Sequence, residues 1–586
     1  MSLFLHLVLL SSLAQDVVST PPLPRLLVSL TPIFSEFPLI TNSTNTPSIT
    51  TITAVNVTLT LTGTPYFDPM LTLLLNSGNT KTQQYNATTL FASDSLGTLP
   101  LVMNDTTLPG SSNVQRFWSA TERRPVGDIV INVLAIPPVE LGVGSGPRID
   151  LRRDQGGVVG MGEGFIPRPA VDEEWDVTVR WEGVESWPEG IRAVCSLGEG
   201  QEVRVQGRPG RVLARSYFAV GRLERWPPWA DGDDGGDDGV GRFAMYWTGK
   251  LPWSVQELGE RVERLTKAVG GFFGDRMDGG FRVFLRKAGM GYGGAGGYRS
   301  FMMEYTDLAA EELDAEGLEN LIAHETVHEY ALMNPARMED TWYREGVAVY
   351  YAVVAPFLAG VVDKGYLVRW LNNNAQAYYT GGTTDLSWSK VLESYWTSTQ
   401  LVRTSYFRGF VYLVQVQGLI AEATNGTKGL DDVVLELQRR YERQQAVQGE
   451  HFVEVLGGYI GKEAAENSLA VMKSGRLIVP ATESLARFGL RMQRKDAEAL
   501  QLGFSESSFG RKAISGLDSG SRAYEAGLRE GDEIVRFWAF STAGDALENK
   551  LKVVVRRQGQ EVPIQYWPRS FEKVESYGWV DTATDL

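Results

Sequence analysis

The chain has 586 residues, 43% of them apolar and 22% charged, with a formal net charge of −15 and a pI near 5.0. That length exceeds what one hydrophobic core supports and points to three or four domains. The acidic balance, without any dense basic run, argues against nucleic acid as a partner, and the single cysteine, Cys195, excludes an intramolecular disulfide.

The chain opens on a short apolar run, Leu3 to Leu10, followed by Ser11-Ser-Leu-Ala14. A run this short does not span a bilayer. Small residues at Ser12 and Ala14 fit a signal peptide over residues 1–14, cleaved before Gln15, although the basic start usual in such peptides is missing. Glycosylation sequons at Asn42, Asn56, Asn86, Asn104 and Asn425 fit the same secreted or luminal destination. No later run is long and apolar enough for a membrane span, and no repeat of 20–50 residues stands out.

Residues 15–250 read as a β-rich domain. Ile49 to Leu61 and Trp175 to Trp181 are rich in β-branched residues and are bounded by turn residues. Near the end of this region, Asp231 to Gly239 is an acidic, glycine-rich loop. It reads as a solvated hairpin loop, with a calcium site as the alternative, since no calcium-loop spacing is present.

At Ser254 the pattern changes. Ser254-Val-Gln-Glu257 is a capping box, and Val255, Leu258, Val262, Leu265 and Val269 follow at helical spacing. From there to about residue 490 the chain reads as mainly helical, for example over 408–423 and 431–444. Within it lies Leu321-Ile-Ala-His-Glu-Thr-Val-His-Glu-Tyr330, which contains H-E-x-x-H and two of the four histidines in the chain. Residues i and i+4 share a helix face, so His324 and His328 can present imidazole nitrogens to one ion. Glu325 points beside that ion, as a base acting on water requires. Asp314 is a candidate cap for this helix, and Leu318, Leu321 and Ile322 form its apolar stripe. The best candidate for the third ligand is Glu345, in Trp342-Tyr-Arg-Glu-Gly346, on a second helix capped by Asp340 or Thr341.

Residues 491–586 return to short strands. Ser521-Arg-Ala-Tyr-Glu-Ala-Gly-Leu-Arg-Glu-Gly-Asp-Glu-Ile534 reads as a short helix, a turn and a strand, as in PDZ domains. Upstream, Leu502, Gly503 and Phe504 resemble the PDZ loop whose backbone N–H groups hold a peptide C-terminus while the peptide adds a strand.

This ordered set resembles the glycyl aminopeptidase family of gluzincin metallopeptidases over roughly residues 150 to 570. Gly162-Glu-Gly-Phe-Ile-Pro167 and Trp181 are similar to its N-terminal signature, and Tyr406-Phe-Arg-Gly409 is similar to a Tyr-x-Lys-Gly segment of related gluzincins. The resemblance implies a multidomain α+β protein with a thermolysin-like catalytic domain at 251–490 between the β-rich and PDZ-like domains. It implies Zn2+ held by His324, His328 and Glu345, Glu325 as general base, and Tyr406 as donor to the oxyanion. One segment departs from the family. Where the family carries Gly-Gly-x-Glu-His-x-x-Ser, with a glutamate for the substrate's free amine, this chain has Gly293-Gly-Ala-Gly-Gly-Tyr-Arg-Ser300. The resemblance keeps Gly293 and Gly294 in the substrate site and leaves Glu304, eight residues past Gly296, as the carboxylate that substitutes if the strand register differs. The expected function is a secreted zinc peptidase acting on peptides or proteins, with aminopeptidase as the inherited specificity. The alternatives are an endopeptidase or a peptidase with relaxed N-terminal recognition, and a PDZ-type peptide-binding protein with a vestigial zinc site.

Overall fold

The computed structural model describes residues 22–38, 48–109, 112–138, 148–229, 243–275, 280–288, 293–307, 315–330, 333, 337–443, 445–538 and 547–585. The expected signal peptide, Asn42, the acidic loop at 231–239 and the proposed cap Asp314 lie outside the described residues.

The N-terminal region is built, in chain order, on β1 (Arg25–Pro38), β2 (Ser48–Thr62), β3 (Ile129–Ala135), β4 (Arg152–Asp154), β5 (Gly157–Met161), β6 (Trp175–Trp181) and β7 (Tyr217–Gly221). β2 lies between β1 and β3, antiparallel to both, and β6 runs parallel to β1 with Arg25 opposite Asp176. Residues two apart share a face of a strand. Leu26, Val28 and Leu30 therefore meet Val57, Leu59 and Leu61, and with Ile131, Val177 and Trp181 they form one core. Asn56 is half-buried on β2, whereas Asn86, Asn104 and Asn425 are exposed. The Asn86 Oδ1 accepts from the Thr88 hydroxyl at 2.7 Å. Cys195 is wholly buried, and burial raises its thiol pKa.

The second, mainly helical region begins with β8 (Phe243–Thr248) and α1 (Val255–Phe272). The Ser254 side chain accepts from the Glu257 N–H at 3.4 Å, and Leu258, Val262, Leu265 and Val269 form the buried stripe of α1. Then come β9 (Phe281–Lys287), β10 (Gly293–Gly297) and β11 (Ser300–Tyr305). β8, β9 and β11 are parallel, and β10 is the antiparallel edge strand, paired with β11 so that Gly293 faces Glu304. Helices α2 (Ala315–Val327), α3 (Thr341–Leu358), α4 (Lys364–Thr380) and α5 (Thr399–Ala423) complete the layer. Phe301, Met303 and Tyr305 pack towards these helices, whereas Phe284 and Met302 pack on β5 and β7 of the N-terminal region. The sheet is thus buried on both faces, and Arg282 and Arg286 of β9 and Glu304 of β11 are buried along with their apolar neighbours.

Between the two regions lies an ion cluster. The Arg286 guanidinium contacts Glu304 at 2.6 Å and Asp150 at 3.0 Å. Arg152 contacts the same two carboxylates, at 3.0 and 2.9 Å, and Arg148 stands 3.3 Å from Glu304. Burial drives the Asp150 carboxyl upward, but Arg286 and Arg152 more than reverse this and hold it below the usual range.

At the C-terminus, β12 (Leu490–Arg494) pairs with the strand Tyr577–Asp581. Leu490, Met492 and Trp579 bury themselves in the catalytic core, and Asn372 of α4 exchanges two hydrogen bonds with the Trp579 backbone, of 2.6 and 2.9 Å. A separate small core, from Phe504 to Tyr566, lies in the chain between these two strands. The expected domain edge at 490/491 falls within β12, whose Leu490 and Met492 pack into the core of the helical region. Among the described residues, no helix is long and apolar enough to cross a membrane.

Removing one member of a buried charge network leaves its partners uncompensated. Arg286→Met should therefore lower stability by about 3–5 kcal/mol, read as a fall in the denaturant midpoint. A midpoint unchanged within error would mean that the cluster contributes nothing to joining the two regions.

Candidate active site

Helix α2 buries Leu318, Ile322, Ala323 and Val327 against the core, and Glu325 and the following His328 lie against the edge strand. His328 follows directly after the last residue of α2, and its Nε2 lies 3.1 Å from that of His324. Glu345 comes from α3, whose residues are nearly all buried, and its Oε2 lies 3.5 Å from each histidine Nε2. Asp340 stands at the start of α3 but does not cap it; its carboxylate accepts from the Gly449 N–H instead, at 3.2 Å.

These distances test whether an ion fits. A tetrahedral zinc with bonds near 2.0–2.1 Å sets its ligand atoms about 3.3 Å apart. The three observed separations bracket that value. The Glu345 Oε2 is also buried with no hydrogen-bond partner, which is the state expected of an oxygen whose partner is a cation. Two imidazoles and one carboxylate form a zinc-type donor set with room for a fourth ligand. Among the described residues, His324, His328 and Glu345 are the one group of three or more ligating side chains that converges in this way. Burial pushes the Glu345 carboxyl upward, but the adjacent imidazoles outweigh this and hold it far below the usual range.

Glu325 is buried beside the cluster. Burial raises its pKa to about 7; Glu345 adds to the rise, while His324, Arg148 and the Gly296 N–H oppose it. The Tyr406 ring, on α5, stacks parallel to His324 with centroids 5.5 Å apart and planes at 8°. Burial, reinforced by Glu345, keeps its phenol pKa well above the ordinary value, so the hydroxyl stays a donor.

Close backbone contacts bring these residues together. A Cβ on Gly346 would lie 2.6 Å from the Gly409 carbonyl carbon, and a Cβ on Gly409 would lie 2.0 Å from the Trp342 oxygen. Helices α3 and α5 therefore cross where the residue after Glu345 meets the residue three after Tyr406. The edge strand is equally close to α2. A Cβ on Gly294 would fall 2.6 Å from the Glu325 Cγ, and one on Gly296 would fall 2.9 Å from the His328 Cβ.

Glu304 does not substitute for the missing glutamate. It shares the sheet face of Met302, away from α2, and is locked among Arg148, Arg152 and Arg286. Gly294 lies against Glu325, whereas Gly293, on the opposite face of β10, lies against Arg148. Two neighbours were not visible in the sequence. Arg148 lies against Gly293, and the Tyr217 hydroxyl donates to the Ala295 carbonyl at 3.1 Å, across 78 residues. Neither belongs to a local motif, and no pattern in the chain marks them. Leu502, Gly503 and Phe504 lie at the small C-terminal core, with Phe504 inside it and Leu502 packed against it. The Leu502 carbonyl accepts from Tyr566, the Gly503 carbonyl accepts from Asp518, and Phe504 is buried. The chain then forms the short helix Ser507–Arg511.

No protein-family model matches the chain, and no curated protein matches it in sequence. The solved structure of an aminopeptidase N family protein from Idiomarina loihiensis superposes with a TM-score of 0.58 at 13% identity, over 96% of this chain and 98% of that one. An M1 zinc metallopeptidase from Deinococcus radiodurans gives a TM-score of 0.47 at 16% identity, over 78% and 96%. Native yeast LTA4 hydrolase gives 0.47 at 12% identity, over 80% and 70%. The first of these establishes the fold over nearly the whole chain. The chain thus shares the fold of that aminopeptidase N family protein and carries within it a His-His-Glu cluster with a zinc-type donor set.

A side chain at the helix crossing must push α3 and α5 apart. Gly409→Ala should destabilise the protein by about 1–3 kcal/mol and weaken zinc retention on dialysis. Gly458→Ala, in a helix where a Cβ meets nothing within 4 Å, should be neutral or stabilising by up to about 1 kcal/mol. Equal effects at the two positions would sink this account of the motif glycines.

Proposed function

We propose that the chain is a zinc peptidase that hydrolyses peptide bonds at the His324, His328 and Glu345 site. The reading rests above all on three half-buried ligand groups whose atoms converge at tetrahedral spacing, with a buried glutamate beside them. When bound there, zinc supplies Lewis-acid polarisation of the scissile carbonyl and makes water more acidic. Glu325, poised near neutrality, takes the proton of the attacking water and passes it to the leaving amine nitrogen. Tyr406, held by its stack on His324, donates a hydrogen bond to the oxyanion as the carbonyl carbon becomes tetrahedral. The similarity to glycyl aminopeptidases supports this assignment of roles. The helix, turn and strand from Ser521 to Trp538 support a PDZ-like fold for the small C-terminal unit; peptide capture at Leu502 to Phe504 is not part of the proposal.

End recognition is where the chain departs from that family. An ammonium entering a partly desolvated site needs a carboxylate partner. The strand that should carry it is bare at Gly296, with His328 too close for a side chain, and Glu304 faces away. The reading best supported is therefore a peptidase with relaxed recognition of the N-terminus.

Two experiments test these statements. Elemental analysis should find about one zinc per chain, lost in His324→Ala and His328→Ala and kept in Glu325→Gln. Peptide hydrolysis should fall about 100- to 10,000-fold in Glu325→Gln and vanish on chelation. Zinc lost from Glu325→Gln but kept in His324→Ala overturns the assignment. Secondly, kcat/KM for a short peptide with a free amine should exceed that of its acetylated twin by less than about 100-fold, because no charge-assisted pair holds the amine. A larger preference shows that another carboxylate has taken over.

A further inference from the structure

We propose that Glu506, in the small C-terminal unit, is a positioning residue for Tyr406, so that this unit forms a working part of the active site. The inference rests on the peptidase reading, in which the Tyr406 hydroxyl meets the oxyanion.

The start of α5 carries the first part of the argument. The leading N–H groups of a helix find no partner within it. Here the Ser398 side chain accepts from the Leu401 N–H at 3.2 Å. The Thr399 N–H is taken by a residue 107 positions further along the chain. The Glu506 Oε1 accepts from it at 3.0 Å and also accepts from the Thr399 hydroxyl. A carboxylate suits that place, because the helix dipole puts positive charge there. Glu506 is half-buried and lies two residues after Phe504, inside the small core. It directly precedes the short helix Ser507–Arg511, whose Phe509 packs on Phe504 with ring centroids 5.5 Å apart. The small core therefore fixes the carboxylate, and the carboxylate fixes the first turn of α5.

Helix geometry carries this to the site. Tyr406 follows Thr399 by seven residues, which is about two turns, so the two share one face of α5 about 10 Å apart. A rigid helix passes a shift at its first turn along its axis, and the Tyr406 ring at the other end of those two turns stacks on His324. The segment before α5 is held from two further sides. The Tyr395 hydroxyl lies 2.8 Å from the Ser405 Oγ, next to Tyr406. The Trp396 indole rests on Gly78, in the N-terminal hairpin of residues 76–81, where a Cβ would lie 3.5 Å from the ring. That hairpin is itself fixed, because the Gly78 N–H donates to the Asn113 Oδ1 at 2.8 Å. The N-terminal region and the small C-terminal unit thus both grip the chain within residues 395–399, a few positions ahead of Tyr406. Of the two, the C-terminal unit acts on α5 directly, through Glu506.

The test is a double-mutant cycle of Glu506→Ala and Tyr406→Phe in the full chain, read as kcat and KM on one short peptide. Loss of an oxyanion donor costs about 100- to 1,000-fold in kcat. Glu506→Ala misplaces the donor rather than removing it, and should lower kcat about tenfold. KM should change little, because the bond to the oxyanion forms only in the transition state. In the Tyr406→Phe background the same substitution should change kcat by less than about twofold. Glu506→Gln, which keeps the acceptor, should restore most of the wild-type kcat, and elemental analysis should find the zinc content unchanged throughout. The same cycle, read by calorimetry as the Kd of a phosphinic peptide whose tetrahedral phosphinate stands in for the oxyanion, needs no turnover. If no peptide is cut but that cycle is again non-additive, the peptidase reading fails and the positioning stands. A kcat unchanged in Glu506→Ala, an equal loss in both backgrounds, a loss traced to missing zinc, or a loss as large in Glu506→Gln as in Glu506→Ala overturns the proposal.

Discussion

The crossing of α3 and α5 at Gly346 and Gly409 is the constraint on which the site depends. At ordinary helix spacing of 8–10 Å, side chains separate the two backbones. Here the backbones touch, so a residue beside the crossing on one helix lies close to a residue beside it on the other. Glu345 precedes Gly346 by one position and Tyr406 precedes Gly409 by three, which brings both to the face where His324 and His328 arrive from α2. The glycine edge strand applies the same device on the other side of α2. His324, Glu325, Glu345 and Tyr406 are thus positioned by helices, with His328 one residue past the end of α2, and such elements hold geometry better than loops do.

Electrostatics divide the molecule at the central sheet. On the helix side lie Glu325, Glu345 and the two imidazoles, with one carboxylate raised by burial and the other lowered by its neighbours. On the N-terminal side lies the arginine-rich cluster around Glu304 and Asp150. The sheet keeps the two apart except at β10, where the absence of side chains lets Arg148 act on Glu325.

The β-rich N-terminal region is therefore part of the site. Tyr217 and Arg148 both come from it, and both act on β10. Likewise, the C-terminal strand Tyr577–Asp581 returns to α4 through Asn372 and Trp579, so the chain end is built into the catalytic core while the small unit between 504 and 566 keeps a core of its own.

The sequence by itself determined what is local. The four-residue spacing of His324 and His328, with Glu325 between them, follows from helical periodicity. So do the apolar stripe of α1 and its Ser254 cap, and the β-branched alternation of the N-terminal strands. Glu345 was legible because its helix carries a recognisable segment. What only the tertiary structure decided were relations between distant segments. Whether Glu304 faced the zinc helix or the N-terminal region depended on the register of β10 against β11, because one residue of shift reverses every side chain. Arg148 and Tyr217 gained their places only when two regions packed face to face. The motif glycines, Gly346 and Gly409, showed their purpose only once two helices were seen to meet there. Local periodicity encodes which face a residue takes on its own element; what that face meets is set by packing between elements far apart in the chain, which no local pattern records.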